Sequence, residues 1–203
     1  MVKIIDLDKV PIGIYEKALP AEMTWAGRLR AAKEAGYDYL ELSIDESDQR
    51  LARLDWGPKQ LREFREIIAE TEMPVLSMCL SAHRRFPLGS EDKAIRDAGL
   101  EIMRKALCFA LATGIRVIQL AGYDEYYRES NKSTREHFMR NLRQSVVWAS
   151  RVGVTLAIEV MDHPFINSVH KAMEIIKEID SPWLHVYPDI GNLSAWGLDV
   201  PDE

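Results

Sequence analysis

One pattern of apolar and polar positions is repeated along the chain. An Ala-rich helix with one apolar face leads directly into a short apolar strand in "LRAAKEAGYDYLELS", "LCFALATGIRVIQLAG" and "VVWASRVGVTLAIEVMD". The joints are Gly36, Gly114 and Gly153, since glycine readily takes the left-handed conformation that ends a helix. A fourth copy, "REIIAETEMPVLSMCLS", has Glu72 and Met73 at its joint. The joints are spaced by roughly 37 to 41 residues, which is the size of one βα unit.

The pattern predicts six strands that alternate with five helices. We place the strands near 11–15, 38–43, 74–80, 115–120, 154–160 and 184–188. We place the helices near 24–35, 58–71, 91–113, 133–151 and 168–179. Ser90 is a candidate N-cap for the third helix, and Ser133 with Glu136 is a candidate capping box for the fourth. Because no linker, low-complexity run or block of charge interrupts the repeats, we predict one domain over residues 1–203.

Two architectures hold repeated βα units: an open doubly wound sheet and a (β/α)₈ TIM barrel. In "TLAIEV" and "LSMCLS", small or polar residues on one face alternate with bulky apolar residues on the other. Helices cover both faces of a central strand in an open sheet, whereas the inner face of a barrel ends at a polar mouth. The alternation therefore favours the barrel. Because a complete barrel takes about 250 residues, we predict an incomplete α/β barrel with about six βα units present and about two absent.

Composition narrows the class of protein. The 203 residues are 47% apolar and 29% charged, as in ordinary globular domains. The formal net charge of −6 disfavours nucleic acid and anionic membrane surfaces as partners. No apolar run approaches the roughly 20 residues that span a bilayer, and the N-terminus has no signal-peptide pattern. We therefore expect a cytoplasmic protein, with Cys79 and Cys108 as buried free thiols.

The inward-facing residues near the carboxyl ends of the predicted strands are the first candidates for chemistry. They are Tyr15, Glu41, Ser81, Gln119, Glu159 and Asp189. Glu159 and Asp189 end neighbouring strands, which lie about 4.8 Å apart in a parallel sheet. Two buried carboxylates at that separation usually hold a metal ion, a proton or an arginine. We therefore predict a divalent metal site at this pair, and the alternative is a structural salt bridge or a solvated loop position.

The histidines are weaker candidates. His163 follows Glu159 in "EVMDHPF" and could line the mouth as a ligand, although a loop histidine before proline is more often simply exposed. His185 begins the sixth strand, at the end away from Asp189, and is expected to pack at the barrel floor. His137 and His170 fall on predicted helices, where we expect them at the surface.

The loop "SAHRRFPLGS" after the third strand is the densest cationic segment. His83, Arg84 and Arg85 could hold a phosphate or sugar hydroxyls, because guanidinium groups bind such oxygens well. Alternatively, the arginines pair with nearby acids such as Glu91 or Asp92. No GxGxxG, Walker, GxSxG or HExxH motif occurs, so dinucleotide, nucleoside triphosphate, serine hydrolase and zinc protease chemistry have no support.

Several segments resemble a known family. "PIGIYEKALP", "RLARLDWGPKQ", "SMCLSAHRRFPLGSEDKAIRDAGLEIMRKA", "GIRVIQLAGYDEYY" and "YPDIGNLSAW" are similar to the L-ribulose-5-phosphate 3-epimerases, also called L-xylulose-5-phosphate 3-epimerases, of ascorbate and pentose catabolism. That family belongs to the xylose-isomerase-like TIM barrels. The resemblance covers nearly the whole chain.

The resemblance implies epimerisation at C3 of a ketopentose 5-phosphate, assisted by a divalent metal such as Mn, Zn, Co or Mg. Family members hold the metal with a Glu, an Asp, a His and a second Glu, and the two glutamates exchange the proton. Glu159 and Asp189 match the first Glu and the Asp, and Glu159 is therefore the expected catalytic residue. The substrate-binding candidates are Asn192, Gln119, His83, Arg84 and Ser81. The resemblance also implies a homodimer.

The family's remaining two ligands lie on a seventh and an eighth strand, for which this sequence has no counterpart. We therefore expect the isolated chain to be a poor or inactive epimerase with an open barrel edge. Two alternatives follow: a non-catalytic truncated remnant, or an isomerase of the same superfamily that acts on an unphosphorylated sugar. The arginine loop argues weakly against the second.

Overall fold

The computed structural model describes residues 10–202. Its strands are β1 (Gly13–Tyr15), β2 (Tyr39–Ile44), β3 (Val75–Leu80), β4 (Val117–Ala121), β5 (Thr155–Glu159) and β6 (Leu184–Tyr187). Its α-helices are α1 (Trp25–Glu34), α2 (Asp48–Leu51), α3 (Pro58–Thr71), α4 (Lys93–Thr113), α5 (Lys132–Val152), α6 (Val169–Ile179) and α7 (Ile190–Ala195). The six predicted strands and the five predicted long helices are confirmed.

The strands form one parallel sheet in the order β1-β2-β3-β4-β5-β6. A doubly wound sheet reverses its strand order at a switch point, whereas a barrel adds strands in sequence. The sheet is also strongly curved, because the Tyr187 hydroxyl of β6 lies 3.4 Å from Glu41 Oε2 of β2. In a flat sheet those two strands would be about 19 Å apart. Strand order and curvature are those of the predicted barrel.

Bulky and small or polar residues alternate along the strands, so one face of the sheet contributes to the core and the other lines a cavity. Bulky side chains point outward and pack beneath the helices, including Leu40, Leu42, Met78, Ile118, Leu156 and Ile158, which are all fully buried. The other face of the same strands carries Glu41, Cys79, Gln119 and Glu159, which line a cavity. The apolar core therefore lies between sheet and helices, and the polar residues are left for the interior of the curved sheet.

The joints between helix and strand have the predicted conformation. Gly36 and Gly114 each have a φ of 88°, and Gly153 has a φ of 67°. Glu72 occupies the same left-handed region with a φ of 50°, although this conformation costs a residue with a side chain roughly 1 kcal/mol. Met73, the next residue, is buried in the core, which supports the tight turn at this joint.

Two predicted helix caps are wrong. Helix α4 is capped by Asp92, whose side chain accepts a hydrogen bond from Ala94 N at 2.8 Å, and Ser90 lies buried before it. Helix α5 is capped by Asn131, whose Oδ1 accepts from Ser133 N and Thr134 N. Ser90 lies two residues before the cap of α4, and Ser133 is already inside α5, so in both helices an Asx side chain at the N-cap position satisfies the free amides.

The prediction that both cysteines are buried is half right. Cys79 is buried on β3, but Cys108 is exposed on the outer surface of α4. The sequence pattern also misses the short helices α2 and α7 and a 3-10 turn at Ser81–Arg84, because each is too short to show a periodicity. No helix in the described part of the chain is long and apolar enough to cross a membrane.

Candidate functional site

A cavity of about 650 Å³ opens at the carboxyl ends of the strands. It is lined by Tyr15, Lys17, Glu41, Asp45, Glu46, Ser47, Cys79, Ser81, Arg84, Gln119, Ala121, Glu159, Met161, Tyr187 and Asp189. All six inward-facing residues predicted from the sequence are among them. The parallel register brings them together, because every strand ends at the same edge of the sheet.

Glu159 and Asp189 lie side by side in this cavity. Glu159 ends β5, and Asp189 follows β6 by two residues and caps α7, where its Oδ1 accepts from Asn192 N at 2.8 Å. Burial, the charges of Asp189 and Glu41, and a hydrogen bond with Asp189 raise the pKa of Glu159 to about 8, against a hydrogen bond from Gln119. No Lys or Arg within residues 10–202 forms an ion pair with either carboxylate.

This pair fits a divalent cation. Two carboxylates crowded together without a positive partner favour any group that supplies positive charge, and oxygen ligands suit Mg²⁺ and Mn²⁺ in particular. Within the described residues, no group of three or more His, Cys, Asp or Glu side chains is arranged to hold a metal. This part of the chain therefore offers two carboxylate ligands.

A third carboxylate lies across the barrel from this pair. Glu41 Oε2 accepts a hydrogen bond from Ser77 Oγ at 2.7 Å, and the Tyr187 hydroxyl lies 3.4 Å from the same oxygen. Burial raises the pKa of Glu41, and the two hydrogen bonds act in the opposite direction. Tyr187 is paired in register with Glu159, so one residue of β6 connects the two carboxylate positions.

Strand β1 adds the hydroxyl group of Tyr15 beside the third carboxylate, Glu41. The Tyr15 hydroxyl and Ser43 Oγ are 3.0 Å apart, and burial raises the pKa of Tyr15. Cys79 is next to them, and burial raises the pKa of its thiol to about 12. Both groups are therefore neutral near pH 7, and Cys79 is not a nucleophile in this site.

One rim of the cavity carries an ion pair. Lys17 Nζ lies 2.6 Å from Asp45 Oδ2, and the Lys17 side chain is 39% exposed. Asp45 also accepts hydrogen bonds from Ser47 N and Oγ and from Arg50. Burial acts to raise the pKa of Asp45, but the hydrogen bonds from Lys17 and Ser47 and the Lys17 charge hold it well below its usual range.

Arg84 forms the neighbouring part of the rim. Its guanidinium lies 4.4 Å from the centre of the Tyr126 ring, and its Nε is buried without a hydrogen-bond partner among the described residues. The alternative that the loop arginines pair with acids holds for Arg85, which binds Asp48 at 2.7 Å and not Glu91 or Asp92, whereas Arg84 stacks on an aromatic ring. Arg84 therefore faces the cavity with unused hydrogen-bond donors.

Two predicted substrate-binding residues point elsewhere. His83 is buried with Nε2 at 3.1 Å from Gly99 O, it does not line the cavity, and burial lowers its pKa to about 4. Asn192 lies on α7 and donates from Nδ2 to Val160 O at 2.9 Å, so its side chain ties α7 to the end of β5. Ser81, Gln119 and Arg84 do line the cavity, as predicted.

The remaining histidines lie outside the cavity lining. His163 is half-buried beside Tyr126, and its Nδ1 accepts a hydrogen bond from Phe165 N. His185 is exposed and contacts Pro182 O, so the prediction that it packs at the barrel floor is wrong. His170 is on the surface near Glu174, as predicted, and His137 is half-buried with an enclosed Nδ1.

Among the cavity residues that the sequence analysis missed are Lys17, Asp45 and Tyr187. Tyr187 could have been predicted from the sequence, because it precedes Asp189 by two residues and so shares its face of the sixth strand. Lys17 and Asp45 follow their strands in turns, where no periodicity indicates which side chains point inward. Only the folded positions of these turns place the two residues at one rim.

Comparison with known proteins agrees with this architecture. A family model described as a xylose isomerase-like TIM barrel matches residues 29–203. The chain therefore belongs to the xylose isomerase-like TIM barrel family, which confirms the fold predicted from the sequence.

Curated relatives narrow this class. The chain is 58% identical over 195 residues to the L-ribulose-5-phosphate 3-epimerase UlaE of Shigella boydii serotype 18 (strain CDC 3083-94 / BS512), which covers 96% of this chain and 69% of that protein. UlaE of Escherichia coli (strain SE11) gives the same identity and coverage. These relatives are named as epimerases, which are isomerases, and the resemblance stated above is confirmed.

Solved structures share the architecture at low identity. A D-psicose 3-epimerase from Clostridium cellulolyticum H10, determined with D-tagatose, has a TM-score of 0.77 at 17% identity over 91% of this chain and 65% of its own. An L-ribulose 3-epimerase has a TM-score of 0.73 at 18% identity over 94% of this chain and 64% of its own. At such identities the likeness shows the fold alone.

Proposed function

We propose that this chain carries the proton-removing half of a 3-epimerase site for a ketopentose 5-phosphate, L-ribulose 5-phosphate or L-xylulose 5-phosphate. This proposal rests on the Glu159–Asp189 carboxylate pair at the ends of β5 and β6. The pair shares one cavity with the cationic rim formed by Arg84 and Lys17. The names of the curated relatives support the same substrate class.

Glu159 and Asp189 would hold a divalent metal, one of Mn²⁺, Zn²⁺, Co²⁺ or Mg²⁺, through their carboxylate oxygens. When bound, such an ion supplies Lewis-acid stabilisation for the negative charge that develops on the sugar oxygens. The half-buried pair without a cationic partner supports this assignment. Asp189 is well placed as a rigid ligand, because its other role as the cap of α7 fixes its side chain.

Glu159 acts on the hydrogen at C3, which is acidic because C3 is next to the C2 carbonyl. The C3–H bond breaks, the proton passes to Glu159, and the electron pair forms a C2=C3 double bond while negative charge moves to O2. The return of a proton to the opposite face of C3 inverts the centre. Glu159 can accept this proton because it ends β5 with its carboxylate in the cavity.

Arg84 and Lys17 would bind the phosphate at the rim. Arg84 keeps unused N–H donors and has no carboxylate partner within residues 10–202, and guanidinium groups bind phosphate with two parallel hydrogen bonds. Lys17 can donate a hydrogen bond to the phosphate without leaving Asp45 unpaired, because Ser47 and Arg50 continue to donate hydrogen bonds to that carboxylate. Ser81 and Gln119 would contact the hydroxyls between the two ends.

Deuterium exchange tests this function. The purified chain is incubated with L-ribulose 5-phosphate and Mn²⁺ in deuterated water, and the C3 proton is followed by NMR. We expect the C3 proton to disappear, and Glu159→Gln and Asp189→Asn to slow its loss at least about 100-fold, since each removes a group that acts in the transition state. Glu101→Gln, on the exposed face of α4, is the matched control and should exchange normally.

The outcomes separate the alternatives. Exchange without formation of L-xylulose 5-phosphate supports the half-site, and full turnover supports a complete one. No exchange by a folded, metal-treated chain contradicts the proposal and favours the non-catalytic alternative. Faster exchange with unphosphorylated L-ribulose than with its 5-phosphate contradicts the assigned substrate class.

A further inference from the structure

Arg84 contacts an aromatic ring to which the proposed function gives no role. The Arg84 guanidinium lies 4.4 Å from the centre of the Tyr126 ring, and Tyr126 lies in the loop that follows β4. We infer that Tyr126 is a positioning residue, whose ring holds the Arg84 guanidinium at the rim of the cavity, where it binds the phosphate of the sugar. This inference rests on the proposed function and adds a residue that sets its preference for a phosphorylated substrate.

Tyr126 itself lies outside the substrate cavity. Arg84 is one of the side chains that line the cavity of about 650 Å³, whereas Tyr126 lines a separate depression together with His163 and Phe165. The ring therefore contacts the guanidinium without lining the space that the sugar would occupy. Any effect of Tyr126 on the binding of the sugar is expected to pass through Arg84.

Three other rings fix the Tyr126 ring in place. The ring centres of Tyr123 and Tyr127 lie 5.0 Å and 4.9 Å from that of Tyr126, at interplanar angles of 58° and 88°. The imidazole of His163, in the loop after β5, is stacked on the Tyr126 ring at 6.2 Å with an interplanar angle of 26°. Tyr123 is only 2% exposed, so this aromatic cluster is anchored in the packed interior. A ring held by several neighbours can orient a long and flexible arginine side chain.

The contact with the ring leaves the hydrogen-bond donors of Arg84 available. The attraction between a cation and an aromatic ring acts on the whole charge and requires no N–H donor. Nε of Arg84 is buried without a hydrogen-bond partner among the described residues. Glu46, a carboxylate that also lines the cavity, accepts instead from the Tyr127 hydroxyl, which lies 3.1 Å from Oε1 and 3.2 Å from Oε2. A ring in place of an ion pair therefore holds the guanidinium and leaves it able to bind an anion.

A double-mutant cycle with two ligands tests the inference. L-ribulose 5-phosphate and unphosphorylated L-ribulose are titrated calorimetrically, in the presence of Mn²⁺, into the unaltered chain and its variants. We expect Tyr126→Leu to weaken the binding of the phosphorylated sugar about 3- to 10-fold, the range for a partly exposed contact between a cation and a ring, and to leave L-ribulose nearly unaffected. Tyr126→Phe keeps the ring and should retain most of the affinity. When Arg84→Met is already present, Tyr126→Leu should cause no further loss, because the ring then has no cation to hold.

The controls separate positioning from a general loss of structure. Tyr37→Leu replaces a half-buried tyrosine just before β2, at the opposite end of the strands, and should bind both sugars normally. Thermal unfolding shows whether each variant is folded, and Tyr126→Met takes the place of Tyr126→Leu, with the same expected result, if the latter is not.

The failure of this inference differs from that of the proposed function. A loss in Tyr126→Leu that is equal for both sugars, or that persists beside Arg84→Met, overturns the inference, since the residue would then act through the shape of the cavity. An unchanged preference for the phosphorylated sugar in Tyr126→Leu also overturns it, while the proposed function stands. An unaltered chain without that preference contradicts the proposed phosphate site, and this inference with it.

Discussion

Arg53 donates two hydrogen bonds to Glu16, at 2.7 Å from Nη1 to Oε2 and at 2.8 Å from Nη2 to Oε1. Glu16 is fully buried, and its carboxylate also binds Arg28 and accepts from Ser43 N at 2.9 Å. Its neighbours along the chain, Tyr15 and Lys17, both line the cavity. This buried network therefore fixes the end of β1 and, with it, two side chains of the proposed site.

Replacement of Glu16 by Gln is expected to destabilise the chain by about 3–5 kcal/mol, because Arg28 and Arg53 would remain buried without their carboxylate. Urea unfolding followed by circular dichroism measures this change. Glu72→Gln is the matched control, since Glu72 forms an exposed pair with Lys33 and should be nearly neutral. A Glu16 variant as stable as this control would show that the network contributes no stability.

The same network predicts an acid-dependent stability. Burial acts to raise the pKa of Glu16, but the hydrogen bonds and charge of Arg53 outweigh it and lower the pKa below the usual value for glutamate. A carboxyl whose pKa is depressed on folding stabilises the native state above its unfolded pKa and loses that contribution as the pH falls through its folded pKa. The stability difference between the unaltered chain and Glu16→Gln should therefore shrink below about pH 4. A difference that is constant down to pH 2 would contradict this assignment.

Metal addition is expected to stabilise the chain through Glu159 and Asp189. At a Mn²⁺ concentration 100 times its dissociation constant, linkage predicts about 2.7 kcal/mol of added stability, seen as a higher melting temperature that EDTA reverses. Asp189→Asn removes one carboxylate ligand and should abolish most of this gain. Asp199→Asn, at an exposed position after α7, should retain it. Equal stabilisation of both variants would place the metal elsewhere.

Arg84→Lys and Lys17→Met are expected to weaken the binding of L-ribulose 5-phosphate by about 10-fold each, while the binding of unphosphorylated L-ribulose changes little. Lysine keeps the charge of Arg84 but loses the fork that binds two phosphate oxygens. Arg85→Lys, in an exposed pair with Asp48, is the control for the same loop. Calorimetric titration with both sugars gives the comparison, and equal losses for the two would argue against a phosphate contact.

Gly122 allows β4 to approach the end of β5 closely. A Cβ at this position would lie 2.4 Å from Glu159 O and 2.9 Å from Ile166 Cβ. Gly122→Ala should therefore cost about 1–3 kcal/mol of stability through overpacking and slow C3 exchange by displacing Glu159. Gly57→Ala is the control, because its nearest neighbour would be Gln60 Oε1 at 4.0 Å. Normal stability and exchange in Gly122→Ala would show that the backbone here yields freely.

Local interactions explain why much of the fold could be predicted. Glycine joints, such as Gly114 and Gly153, and strands that alternate bulky and small residues follow from backbone conformation and from the position of the core, and each is visible in a short segment. The helix caps were harder to predict. Asp92 and Asn131 compete with nearby serines for the same amides, and the geometry of the first turn decides between them.

The sequence by itself determined the repeated βα unit, the polar inner face and the candidacy of Glu159 and Asp189, because these depend on spacing along one strand or between consecutive units. Only the tertiary structure decided that His83 is buried against Gly99 O while Arg84, its neighbour, faces the cavity. Likewise, only the curvature of the sheet brought Tyr187 to Glu41, which are 146 residues apart in the chain. The reason is physical: the period of a strand specifies which face a side chain takes, whereas the curvature of the whole sheet specifies what that side chain meets.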